Sequence, residues 1–156
     1  MPALAEVRSK ASALLVNGDV LPALQLYDAI VRAVPLDFEA RMKVGDCLAA
    51  LGAKDQAVAV YRAVGFYCIK AGHPLSALVA ARVVSESLGG EADDILASLV
   101  AYYGSESELT GDFAARLRVP AGEADIEVSA APGTDLLAEA SERARTATDS
   151  FQGFPE

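Results

Sequence analysis

Tryptophan is absent from this chain of 156 residues, aromatic residues make up only 6% of it, and there is a single histidine. Since hydrophobic residues still reach 53%, the apolar content rests on Ala, Val and Leu. That composition suits helices packed at close range and disfavours a β-sandwich, which draws on aromatic and β-branched side chains. Basic residues are also scarce: 13 Lys and Arg face 22 Asp and Glu, for a net charge of −9. A nucleic-acid partner needs a basic footprint and is not expected. No apolar run approaches the ~20 residues of a membrane span, and the opening MPALAEVRSK has no signal-peptide core. A cytoplasmic chain without membrane insertion is expected. The two cysteines, Cys47 and Cys68, fall within predicted helices without metal-ligand spacing, and read as buried reduced thiols.

Catalytic signatures are missing too. The chain has no nucleophile elbow, no glycine-rich phosphate loop and no HExxH. A histidine-based triad would have to use His73, which precedes Pro74 at a helix start, where a capping or surface role is expected. Glu91, Asp93 and Asp94 form an acidic group, but acids in a first helical turn are what the macrodipole favours. No enzyme activity, cofactor or metal is expected.

What is present is helical punctuation. Apolar residues recur at helical period over about 3–16 (Leu4, Val7, Ala11, Leu14, Leu15), 20–33 (Leu24, Tyr27, Ile30, then Val34) and 38–50 (Phe38, Met42, Leu48, then Leu51). The pattern continues over 55–70 (Val58, Tyr61, Val64, Cys68, Ile69), 74–87 (Leu75, Leu78, Val79, Val83, then Leu88) and 91–103 (Ile95, Leu96, Leu99, Val100, Tyr103). Gly18, Gly52, Gly72 and Gly89-Gly90 close helices, Asp37 is a candidate N-cap, and Pro74 suits a first turn. Residues 1–103 carry a net −2, whereas 104–156 carry −7 and gather Pro120, Gly122, Pro132 and Gly133. The expected organisation is a helical domain over 1–103 and an acidic tail over 104–156 with one or two short helices. Leu109, Phe113 and Leu117 mark one, residues 135–148 the other, and DIEVS (125–129) is a candidate short strand. The tail keeps enough large apolar residues that 135–148 is expected to pack in cis against the sixth helix, or in trans on a second copy.

The helices repeat. Gly18 is followed by Ala23, Tyr27 and Ile30; thirty-four residues on, Gly52 is followed at the same offsets by Ala57, Tyr61 and Val64, with Gly45 and Leu48 upstream. This resembles the tetratricopeptide repeat, a 34-residue helix–turn–helix with small residues where helices touch. The resemblance implies an all-α fold of antiparallel hairpins stacked as a short right-handed superhelix. Gly72 and Ala77 repeat the turn pattern only 20 residues after Gly52 and Ala57, so the third unit is irregular. By alternation the fifth and sixth helices form its hairpin. The stretch from Gln56 to Gly90, with the further helix and acidic linker, also resembles repeats fused to cyclic-nucleotide-binding domains in some bacterial signalling proteins. That resemblance implies a nucleotide-binding domain beginning after Glu156.

The family resemblance implies a protein or peptide partner held on the outward face of each unit's first helix. Here that face carries Arg8, Ser12 and Leu15, then Glu39, Met42, Lys43 and Asp46, with Ala49. Clamps for a peptide carboxylate in this family use Asn with Lys or Arg. Ser12 and Asp46 stand at those Asn sites, and Asp46 would repel a carboxylate. Tyr61, Phe66, Tyr67, Tyr102 and Tyr103 are further candidates for a groove lining, although Tyr61 reads as core and the Tyr102-Tyr103 pair as half inside. The competing reading is an oligomerising arm of a cyclic-nucleotide-responsive protein, with a homodimer as its assembly.

Overall fold

A computed structural model describes residues 3–103 and 135–146. Seven helices lie among the described residues: α1 (Leu4–Val16), α2 (Val20–Ala33), α3 (Phe38–Ala50), α4 (Lys54–Ala71), α5 (Pro74–Arg82), α6 (Asp93–Tyr103) and α7 (Leu136–Thr146). A π turn over Val83–Ser87 continues α5. From α1 to α6 each helix packs on the next, so the hairpins α1–α2, α3–α4 and α5–α6 stack in chain order.

The punctuation explains the breaks. Gly18 and Gly52 adopt φ +88° and +83°, a left-handed conformation that a Cβ would strain. At these turns Asp19 N donates to Leu14 O and Ala53 N to Leu48 O, each at 2.9 Å, so the two caps are copies 34 residues apart. The Asp37 carboxylate accepts from Ala40 N at 3.0 Å and caps α3, and Pro74 opens α5.

Small residues set the spacing inside the hairpins. A Cβ built on Gly45 would stand 2.6 Å from Tyr61 Cε2, so the Tyr61 ring packs directly against the α3 backbone. Ala57 is fully buried, and a Cβ on Gly65 would touch Ile95 and Ala80. Both cysteines are buried and free.

Several expected core residues are not in the core. On α5, Leu75, Leu78 and Val79 are 76%, 38% and 52% exposed, while Ala77, Ala80, Ala81 and Val84 are buried. The reason is close approach: α4 presents Gly65 to α5, leaving room for a methyl group but none for a leucine. Leu96 and Val100 of α6 also face outward, as does Leu51 at its turn.

The expected tail helix over 135–148 forms as α7, capped by Asp135, whose carboxylate accepts from Ala138 N at 3.2 Å. Its seat differs from the cis seat expected for it. Instead of covering α6, it packs on α2, α3 and α4. The expected helix around Leu109, Phe113 and Leu117 and the strand at 125–129 lie outside the described residues.

Candidate functional site

The first helices of the three hairpins share a register. A shift of 34 residues relates α1 to α3, and a shift of 36 relates α3 to α5. Under these shifts Val7, Arg41 and Ala77 coincide, as do Ala11, Gly45 and Ala81, and all six are buried. The opposite face of the same helices is where the candidate partner-binding residues stand.

That face is polar on α1 and α3. Arg8 is half-buried and forms an ion pair with Asp37, which ties α1 to the start of α3. Ser12 is exposed and hydrogen-bonds the Tyr27 side chain, and Leu15 packs half-buried on the core. Glu39 is exposed and Met42 half-buried. Lys43 lies 3.2 Å from the Asp46 carboxylate, which also accepts the Tyr61 hydroxyl proton. Burial and this carboxylate push the Tyr61 phenol above its ordinary range. Asp46 and Ser12, at equivalent positions, therefore each hold the tyrosine of their own hairpin as well as facing solvent.

On α5 three of the same positions become apolar. Leu75 replaces Glu39, Leu78 replaces Met42, Val79 replaces Lys43, and Arg82 replaces Asp46. Arg82 pairs with Glu86 at 3.1 Å. Reading α5 by its large residues hid this, because Leu75, Leu78 and Val79 look like a buried stripe. The signal that would have found it is the competing run Ala77, Ala80, Ala81, with its two-residue shift from the regular unit.

The remaining candidates make contacts within the fold. The His73 ring meets the Phe38 ring at a tilt of 41° with centroids 4.7 Å apart, and burial pushes its pKa down. The Asp94 carboxylate is gripped by the Arg62 guanidinium, which also donates to Glu91 O at 2.6 Å. The pair joins α4 to α6 and holds the Asp94 carboxyl below its usual range. Arg62 also lies 5.8 Å over the Phe66 ring. Tyr67 is buried. Tyr103 donates to Ile69 O at 2.8 Å, while Tyr102 meets it edge-on at the surface. Among the described residues no group of three or more His, Cys, Asp or Glu is placed to hold a metal, and no helix is long and apolar enough to cross a membrane.

No curated protein and no solved structure matches the chain. Residues 8–66 match the family model for the tetratricopeptide repeat, from the second turn of α1 into α4. With the third hairpin stacked on those two, the described residues form an all-α helical-repeat fold similar to the tetratricopeptide type.

Proposed function

We propose that this chain is a non-catalytic scaffold that holds another polypeptide on the outward face of α1, α3 and α5. Tetratricopeptide repeats generally mediate protein–protein interaction. The observation that carries the reading here is the exposure of Leu75, Leu78 and Val79 in register with Glu39, Met42 and Lys43. Burying one such side chain is worth about 1.5–3 kcal/mol, against roughly 0–1 kcal/mol for an exposed ion pair. The α5 end is therefore the anchor, and Arg8, Ser12, Leu15, Glu39, Met42, Lys43 and Asp46 set orientation and register. The ligand that fits is a peptide segment with apolar side chains toward α5. A free carboxylate beside Asp46 is disfavoured.

A random peptide library selected on the intact chain tests this. Selected peptides should share large apolar residues, and the double variant Leu78→Asp, Val79→Asp should abolish their binding. Lys43→Glu should weaken it, with an unchanged melting temperature in every variant. Selected peptides that bind the double variant as well as the parent would sink the proposal.

A second reading, end-on self-association as an oligomerising arm, is favoured by one feature. Val100 is 71% exposed on the last hairpin, beside exposed Leu96 and Tyr102, and terminal repeats require a cover. Light scattering would then give a dimer that Val100→Glu returns to monomer. A monomer at all concentrations removes this reading.

A further inference from the structure

Two charged side chains are buried at the foot of α7. Asp28 is 3% exposed and Arg41 1%. The repeat does not require a charge at the Arg41 position, since Val7 and Ala77 occupy it in the other two units. Arg41 serves α7 and the turn between α2 and α3. Its Nη1 donates to Ala144 O at 2.7 Å and Arg143 O at 3.4 Å, while Nε donates to Pro35 O at 2.6 Å. The carbonyls of a last helical turn have no partner within their own helix, and the dipole there favours a cation. Asp28 completes the seat by accepting Arg143 Nε and Nη2 at 2.7 and 3.1 Å, a two-pronged grip. Ala140, Ser141 and Ala144 are buried beneath, so α7 lies close to its neighbours.

The seat is specific, yet its occupant is imperfect. A helix of 11 residues, as α7 is, holds its shape only by docking. Arg41 Nη2 is buried with no acceptor, so α7 leaves one donor of its receptor unanswered.

We propose that the slot across α2, α3 and α4, with Asp28 of α2 and Arg41 of α3 at its end, is a receptor for the last turn of a helix, and that α7 is its displaceable resident. The partner that fits it is a helix of a second protein with the same small-residue face and arginine, ending in a carboxylate that reaches Nη2. This surface is separate from the outward face of α5, and neither proposal depends on the other.

The probes are two labelled peptides of sequence 135–146, one with a free carboxy terminus and one amidated. The receptor is the full chain, as wild type and as Ala144→Arg, which evicts α7 by bulk and by charge against Arg41. The Ala144→Arg chain should capture the free-carboxylate peptide about tenfold more tightly than the amide, as charge-assisted bonds exceed neutral ones. Wild type should capture it at least about tenfold more weakly, because its slot is filled in cis. Adding Asp28→Asn should abolish capture, and adding Leu78→Asp should not change it. No capture by Ala144→Arg, equal capture by wild type, or equal capture of the amide would each overturn the proposal. Amide exchange on the unaltered chain gives an independent readout. Exchange across 136–146 should be slower than in the free peptide but at least about tenfold faster than in α3 and α4. Rates equal to those of α4 would make α7 a fixed part of the fold, and rates equal to the free peptide would leave the slot unoccupied; both overturn displacement.

Discussion

At the scale of single residues, the fold rests on places where a side chain is missing. Gly45 lets the Tyr61 ring lie against α3, and Asp46 one residue later holds the phenol at its far end. The ring is fixed at both ends and has little room to retreat. Gly45→Ala should therefore lower stability by about 1–3 kcal/mol, read as a lower denaturant midpoint. In the first hairpin the same position is Ala11, opposite Tyr27. Ala11→Gly is the control and should cost no more than about 1 kcal/mol, the ordinary penalty of glycine within a helix. A Gly45→Ala midpoint equal to the parent's would mean that the ring is not held as described.

At the scale of elements, α5 is the informative helix, because its large and small residues compete for the inside. The small ones win, since α4 presents a glycine there. Ala80→Leu should cost on the order of 1–3 kcal/mol by overpacking. Leu75→Ser should move stability by less than about 0.5 kcal/mol. Thermal melts of the two variants decide the face, and the reverse ranking would turn α5 over. α3 offers a second contrast. Burial lowers the Arg41 pKa to about 10, against the Tyr67 and Asp37 side chains nearby, which raise it. Arg41→Leu should leave the melting of the stacked hairpins unchanged or raise it, because a well-packed apolar residue often matches or exceeds a buried charge. The same change should speed amide exchange in α7 by removing its carbonyl donor. A large loss of overall stability would make Arg41 part of the repeat core.

At the scale of the whole molecule, the core keeps its thiols and phenols neutral. Burial pushes the Cys47 and Cys68 thiols up to about 12 and raises Tyr27, Tyr61 and Tyr67 as well. In the unfolded chain a thiol ionises near 8.5, so above that pH the unfolded state sheds protons that the folded state keeps. Stability from these groups is complete below about 8.5 and is lost as pH rises toward about 12. Urea midpoints should fall steadily from pH 8 to 11, and a thiol reagent at pH 8 should label the native chain only at the rate of opening. A flat midpoint with fast labelling would contradict the burial of both thiols.

The sequence by itself determined where helices begin and end. Gly18 and Gly52 need a left-handed turn, Asp37 caps a following amide, and Pro74 cannot sit later than a first turn. These are local constraints, met within a few residues, and so they can be read without neighbours. The 34-residue spacing also carried the first two hairpins, because each places a tyrosine and a small residue at the same offsets. Which face of α5 turns inward was decided only by tertiary structure. Leucine and alanine stripes are both apolar, and only the distance to α4 separates them. The burial of Asp28 and Arg41 was likewise illegible, since each looks like a solvated helix charge until α7 arrives from more than a hundred residues away. Periodicity predicted a tail helix at 135–148, but its seat depended on two charges and a row of small residues that no local pattern joins.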